Sequence, residues 1–127
     1  MHDLDRTFAV LGPDLRVTPV AVTPEIYANL DRDFDGFRGH TLVSRHAFTG
    51  DWPTWEMHPA GDEIVVLMEG AATFLLDRGG REERVVLAKA GAYVVVPKAT
   101  WHTAKIAKHA VLLFITPGEG TRNEERP

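Results

Sequence analysis

Apolar residues along this chain fall in short runs rich in Val, Ile, Leu, Phe and Thr, broken at close intervals by Gly, Pro and Asp. That punctuation predicts strands. The predicted strands are Arg16–Val22, Thr41–Phe48, Thr54–His58, Glu63–Glu69, Ala72–Asp77, Glu83–Leu87, Ala92–Val96, His102–Ala107 and Ala110–Thr116. The adjacent glycines of Asp77-Arg78-Gly79-Gly80-Arg81 can take positive φ and predict a hairpin turn. Lys89-Ala90-Gly91 and Lys108-His109 predict two more turns. One short helix is expected, with Thr23 as N-cap, Pro24 at the first helical position and Glu25 complementing the dipole, running to about Leu30. Asp31 to Gly36 reads as a polar loop. The charged tail from Pro117 to Pro127 has almost nothing to bury and is expected to be disordered. So many short strands imply an all-β sandwich or barrel, and the pattern alone does not choose between them.

At 127 residues the chain is long enough for one core and too short for two. It contains no cysteine, so disulfides, thiolate metal sites and cysteine nucleophiles are excluded. Any metal must be held by His, Asp and Glu. The net charge is −4, with no run of lysine or arginine, so a nucleic-acid footprint is missing. No apolar run approaches a membrane span, and the N-terminus lacks the pattern of a signal peptide. A cytoplasmic protein without nucleic-acid or membrane partners is the expectation.

Clear chemistry is confined to two stretches. The first, Gly50 to Gly70, carries Glu56, His58 and Glu63 in the order Glu-x-His-x4-Glu. The second, Gly91 to His102, ends in a histidine five residues after Pro97. Residues two apart in a strand share a face, so Glu56 and His58 project together. Pro59-Ala60-Gly61 makes a turn, and the next strand returns Glu63 beside them. If the strands wrap around one interior, His102 reaches the same point. Two imidazoles and two carboxylates suit Mn, Fe, Co, Ni or Zn. Asp62, next to Glu63, is assigned to the turn. His2, His40, His46 and His109 have no partner at ligand spacing and are assigned to the surface or to strands. Trp52, Trp55 and Trp101 are read first as core; Trp101, beside His102, could also border a pocket mouth. Lys98 and Lys105 are read as solvated.

These spacings resemble those of the cupins, small jelly-roll or double-stranded β-helix barrels. The first cupin motif is Gly, five residues, His-x-His, three or four residues, Glu, six residues, Gly. Here Gly50, Glu56-Met57-His58, Glu63 and Gly70 follow that register. The second is Gly, five residues, Pro-x-Gly, two residues, His, three residues, Asn. Here Gly91, Pro97-Lys98-Ala99, His102 and Ile106 keep it. The departures are Glu56 for the first His, Ala99 for Gly and Ile106 for Asn. The resemblance covers Thr41 to Thr116. It implies an all-β, cupin-like jelly-roll barrel at 41–116, preceded by a segment at 1–40 whose strand and short helix pack on the barrel and followed by the tail at 117–127. It also implies that a divalent metal is held by His58, Glu63 and His102, with Glu56 either a fourth ligand or a general base.

By strand parity the cavity walls would be Val65, Leu67, Phe74, Leu76, Tyr93, Val95, Ala104 and Ile106, while Trp55, Met57, Ile64, Val66 and Met68 face outward. An apolar outer face of that size calls for a cover, and a homodimer packing these faces together is expected. The function implied is metal-dependent chemistry on a small organic molecule, of oxygenase, isomerase or lyase type. The rival readings are a small-ligand-binding or sensor barrel without turnover, with or without metal, and a structural subunit.

Overall fold

The computed structural model describes residues 1–126; Pro127, the end of the expected disordered tail, lies outside the described residues. Eleven strands and one helix follow in the order β1 (Thr7–Leu11), β2 (Val17–Ala21), α1 (Ile26–Asp33), β3 (Thr41–Phe48), β4 (Trp55–Met57), β5 (Glu63–Gly70), β6 (Ala72–Asp77), β7 (Glu82–Leu87), β8 (Tyr93–Val96), β9 (His102–Lys105), β10 (Ala110–Thr116) and β11 (Arg122–Glu124). A 3₁₀ turn at Asp35–Phe37 follows the helix.

The strands form two antiparallel sheets. One has six strands in the order β2-β1-β3-β10-β5-β8, the other five in the order β11-β4-β9-β6-β7. This is an all-β, two-sheet arrangement of cupin-like jelly-roll topology. Among the described residues no ladder joins the sheets into the closed barrel that was expected. Apolar side chains from both inner faces fill the space between, with Val65, Leu67, Phe74, Leu76 and Leu112 almost wholly buried. A second cluster lies where the six-stranded sheet outruns its partner. There Ile26 and Leu30 of α1 pack with Phe8, Val10, Phe37 and Leu42. The helix thus covers the inner face of β1 and β3, which the shorter sheet leaves open.

Several expectations are corrected. The helix is capped at Glu25 rather than Thr23, with no side-chain cap bond, and it runs three residues past Leu30 to Asp33. Thr23 contributes only its carbonyl, which accepts from the Ile26 N–H. The segment read as a polar loop is therefore helical in its first half: burial of Leu30 holds the last turn. The tail is not structureless. Residues 122–124 pair antiparallel with β4, and Arg126 lies over the rings of Trp55 and Trp101 at 4.7 and 5.3 Å. A charged segment with nothing to bury can still order by adding main-chain hydrogen bonds to a sheet edge and stacking guanidinium on indole. Tyr93 and Val95 are exposed and do not line the interior. The register pairs Val94 with Val65 and Val96 with Glu63, so the even-numbered residues of β8 point inward.

Candidate metal centre

Glu56 on β4 stands directly opposite His102 on β9 in the ladder. His58 follows β4, and Glu63 opens β5 on the facing sheet. The chain between them is fixed by local bonds: the His58 carbonyl accepts from the Ala99 N–H, and Asp62 accepts from the Lys98 N–H. Asp62 is thus a turn residue that ties the two motif loops together, as its spacing suggested. Ala99 takes φ +59, the left-handed conformation for which the motif position usually has glycine.

All four expected residues converge. His58 Nε2 lies 3.3 Å from Glu63 Oε2 and 3.8 Å from Glu56 Oε2. His102 Nε2 lies 3.2 Å from Glu63 Oε1. One ligand atom each from Glu56, His58 and His102 lies within 4.8 Å of the other two. His58, Glu63 and His102 are buried, whereas the Glu56 side chain keeps about a third of its exposure.

Hydrogen bonds on the far side of each ligand set its state. The Thr121 hydroxyl donates its one proton to the Gly118 carbonyl, so toward His58 Nδ1, 2.8 Å away, it accepts. His102 Nδ1 faces the Thr100 carbonyl at 3.0 Å and must also donate. Both rings therefore carry hydrogen on Nδ1 and turn Nε2 inward, the arrangement that metal-ligating histidines adopt. The Thr116 hydroxyl donates to Glu63 Oε2 at 2.6 Å, which leaves Oε1 free. His58 Nε2, His102 Nε2 and Glu63 Oε1 are buried without hydrogen-bond partners. Such orphans are costly unless something shared satisfies them, and a divalent cation fits this donor set.

The protonation tendencies agree. Burial alone would raise Glu63, but its contacts with His102 and His58 hold it down at about 2. Burial would lower His102, yet the Glu63 carboxylate raises it above the ordinary imidazole value. The carboxylate thus favours the charged imidazole in the absence of a metal. Glu56 is raised, first by burial and then by the charge of Glu63.

The cluster opens into a cavity of about 610 Å³. Its lining comes from β3, the loop before β4, α1 and the tail, and not from the residues expected as walls. Val65, Leu67, Phe74, Leu76, Ala104 and Ile106 are instead part of the closed core. Of the three tryptophans, Trp52 lines the cavity, while Trp101 lies under Arg122 and Arg126. Sequence reasoning missed Thr121, Thr116, Tyr27 and His46. His46 shares the inward parity of Leu42 and Ser44 on β3, a signal that spacing to the other ligands could not supply.

The two-sheet fold is of cupin-like topology, and the Glu/His/His cluster resembles a modified cupin motif. No protein-family model matches the chain, and no curated protein does. Solved structures match its fold. A cupin-2 domain protein from Shewanella frigidimarina is 21% identical, covers 68% of this chain and 71% of its own, and superposes with a TM-score of 0.51. A variant of Bacillus subtilis oxalate decarboxylase is 18% identical with a TM-score of 0.55, over 67% of this chain and 23% of the enzyme. Hydroquinone 1,2-dioxygenase from Sphingomonas sp. TTNP3, with 4-hydroxybenzoate bound, is 17% identical with a TM-score of 0.53, over 68% of this chain and 60% of the enzyme.

Proposed function

We propose that this protein is a metal-dependent enzyme acting on a small organic molecule. His58, Glu63 and His102 hold a divalent ion, and Glu56 serves as a fourth ligand or as a general base. The observation that carries the proposal is the set of three buried, unpartnered acceptor atoms turned toward one point. Two carboxylates and two neutral imidazoles would leave a divalent centre near zero net charge, which favours Mn or Fe over softer ions. A bound metal would supply Lewis acidity or an O2-binding position.

The chain's own residues divide the remaining work. Thr121 and Thr100 fix the imidazole tautomers, and Thr116 holds the Glu63 carboxylate. Glu56, raised by burial and partly exposed at the cavity, is suited to exchange a proton with a bound ligand. The solved structures of similar fold include an oxalate decarboxylase and a hydroquinone dioxygenase, both of which act on small organic molecules, and this supports the class of substrate.

Metal analysis of protein purified without added metal tests the proposal. Stoichiometric Mn or Fe that is lost in His58→Ala and in His102→Ala is the expected result. Protein that neither retains metal nor changes its melting temperature on metal addition refutes it and leaves the ligand-binding reading. We also propose a homodimer formed through the outer face of the six-stranded sheet, where Met68 of β5 and Tyr93 and Val95 of the neighbouring β8 are exposed.

A further inference from the structure

The cavity wall away from the cluster has a chemistry of its own. Tyr27, carried by α1, brings its hydroxyl to 2.9 Å from His46 Nε2 on β3. The register sets His46 opposite Leu112, whereas Thr116, which holds Glu63, lies four residues further along β10. At strand rise that separates the two levels by roughly 13 Å. Phe114 lies between them, and Phe37, Phe48 and Trp52 add further aromatic wall to the cavity. The buried Trp52 Nε1–H has no hydrogen-bond partner, and its ring packs edge-on against His102 at 6.1 Å.

Charge along the lining is one-sided. Asp31, Asp51, Glu56 and Glu63 contribute to it, and among the described residues no Lys or Arg does. Lys105 approaches Asp51 at 3.7 Å, in an exposed pair, but is not part of the lining. The Tyr27–His46 pair adds no charge. Burial keeps His46 below its ordinary value, and burial followed by the charges of Glu56 and Glu63 pushes the Tyr27 phenol up to about 12. Whichever partner donates in this bond, one proton donor is left over. If Tyr27 donates, His46 keeps hydrogen on Nδ1; if His46 donates from Nε2, the Tyr27 hydroxyl is free.

We infer that the cavity selects an uncharged, planar, aromatic-sized molecule bearing an oxygen acceptor, that Tyr27 and His46 determine this specificity by receiving the acceptor, and that carboxylate-bearing analogues are rejected. The inference rests on the proposed function only in taking the cavity as the ligand site. In the metal-free protein a carboxylate would add negative charge to a lining that already holds four carboxylates and no Lys or Arg, at a desolvation cost that no partner offsets. A carbonyl or hydroxyl oxygen meets a ready donor, and an aromatic ring matches the walls.

Benzamide and benzoate, equal in size and shape and different in charge, test this. Binding to the full-length chain is followed by the tryptophan indole N–H signals in ¹H–¹⁵N spectra, with Trp52 assigned by Trp52→Phe. The protein is used as purified and after dialysis against a chelator, so that direct ligation of benzoate to a metal is separated from the wall's preference. Benzamide is expected to bind the dialysed protein at least ten-fold more tightly than benzoate. Tyr27→Phe and His46→Gln are each expected to weaken benzamide binding several-fold while leaving metal content unchanged. Equal or tighter binding of benzoate to the dialysed protein, binding of neither probe, or wild-type benzamide affinity in both variants overturns the inference. Metal content is read separately, so a chain that prefers benzamide but holds no metal refutes the proposed enzyme and leaves the inference standing.

Discussion

Thr121 decides which nitrogen of His58 is available, although it lies outside both motifs. Its hydroxyl accepts from Nδ1 because its proton is committed to Gly118. Thr121→Val removes that acceptor and frees the ring to change tautomer. Metal affinity, read by calorimetric titration with Mn²⁺ or Zn²⁺, is expected to fall about ten- to a hundred-fold with little change in fold. The same cluster sets a pH dependence. Glu63 is held at about 2 against an ordinary 4.5, so its ionised form favours the folded state above pH 4.5, and that contribution is lost as pH falls toward 2. His102 is raised above 6.5, so its charged form favours the folded state below 6.5, and that contribution is lost as pH rises through the raised value. Metal-free protein is therefore expected to melt highest between pH 4.5 and 6.5. Metal must displace the His102 proton, so the gain in melting temperature on adding Zn²⁺ is expected to grow as pH rises from about 5 to about 8. A gain that is largest at the acid end would contradict the favouring of the charged His102 by Glu63.

The motif glycines illustrate how much of each element the sequence discloses. Gly70 ends β5 at φ +82, and a Cβ there would lie 2.2 Å from the His109 carbonyl oxygen. Both backbone conformation and space demand glycine, so Gly70→Ala is expected to cost upwards of about 2 kcal/mol in urea unfolding. Ala99 is the converse case. It holds φ +59 where the motif has glycine, and Ala99→Gly is expected to stabilise by roughly 0.5–1 kcal/mol, the left-handed penalty less the added chain entropy. The strands of the double sheet were legible because each carries its own alternation between turn residues, and the four cluster residues were legible because their spacing follows two short connections that cross from one sheet to the other. What was hidden depends on partners distant in sequence. Thr7–Leu11 is a strand only through its ladders with β2 and β3, and Arg122–Glu124 only through β4. The cavity was misplaced for the same reason. Parity chose inward residues correctly on β5 and β6, but those residues meet the opposite sheet, while the open space lies where α1 and the tail replace it.

At the scale of the whole molecule the two faces of the six-stranded sheet are unequal. Its inner face meets the second sheet and α1. On its outer face Ile64, Val66 and Met68 of β5 lie beside Tyr93 and Val95 of β8 on one side and Leu113 and Ile115 of β10 on the other. Val43 continues the row onto β3 and Ala9 onto β1. Arg45, paired with Asp5, interrupts it near the middle. Met68, Tyr93 and Val95 keep 44, 61 and 46% of their exposure, so the apolar character is open to solvent at the β8 edge. By contrast, the outward-facing Trp55 of the other sheet is covered by the chain itself, through Arg126. A second copy of the same face would supply what the tail does not provide here, through an isologous contact of the kind that closes a two-fold dimer. Sedimentation equilibrium at micromolar concentration is expected to return twice the 14.1 kDa chain mass. Val95→Lys and Met68→Glu are each expected to shift it to monomer. Because these side chains lie on the face of the sheet opposite the cluster, metal content should not change with them. Wild-type protein that sediments as a monomer, or variants that stay dimeric, would place the subunit contact elsewhere or remove it.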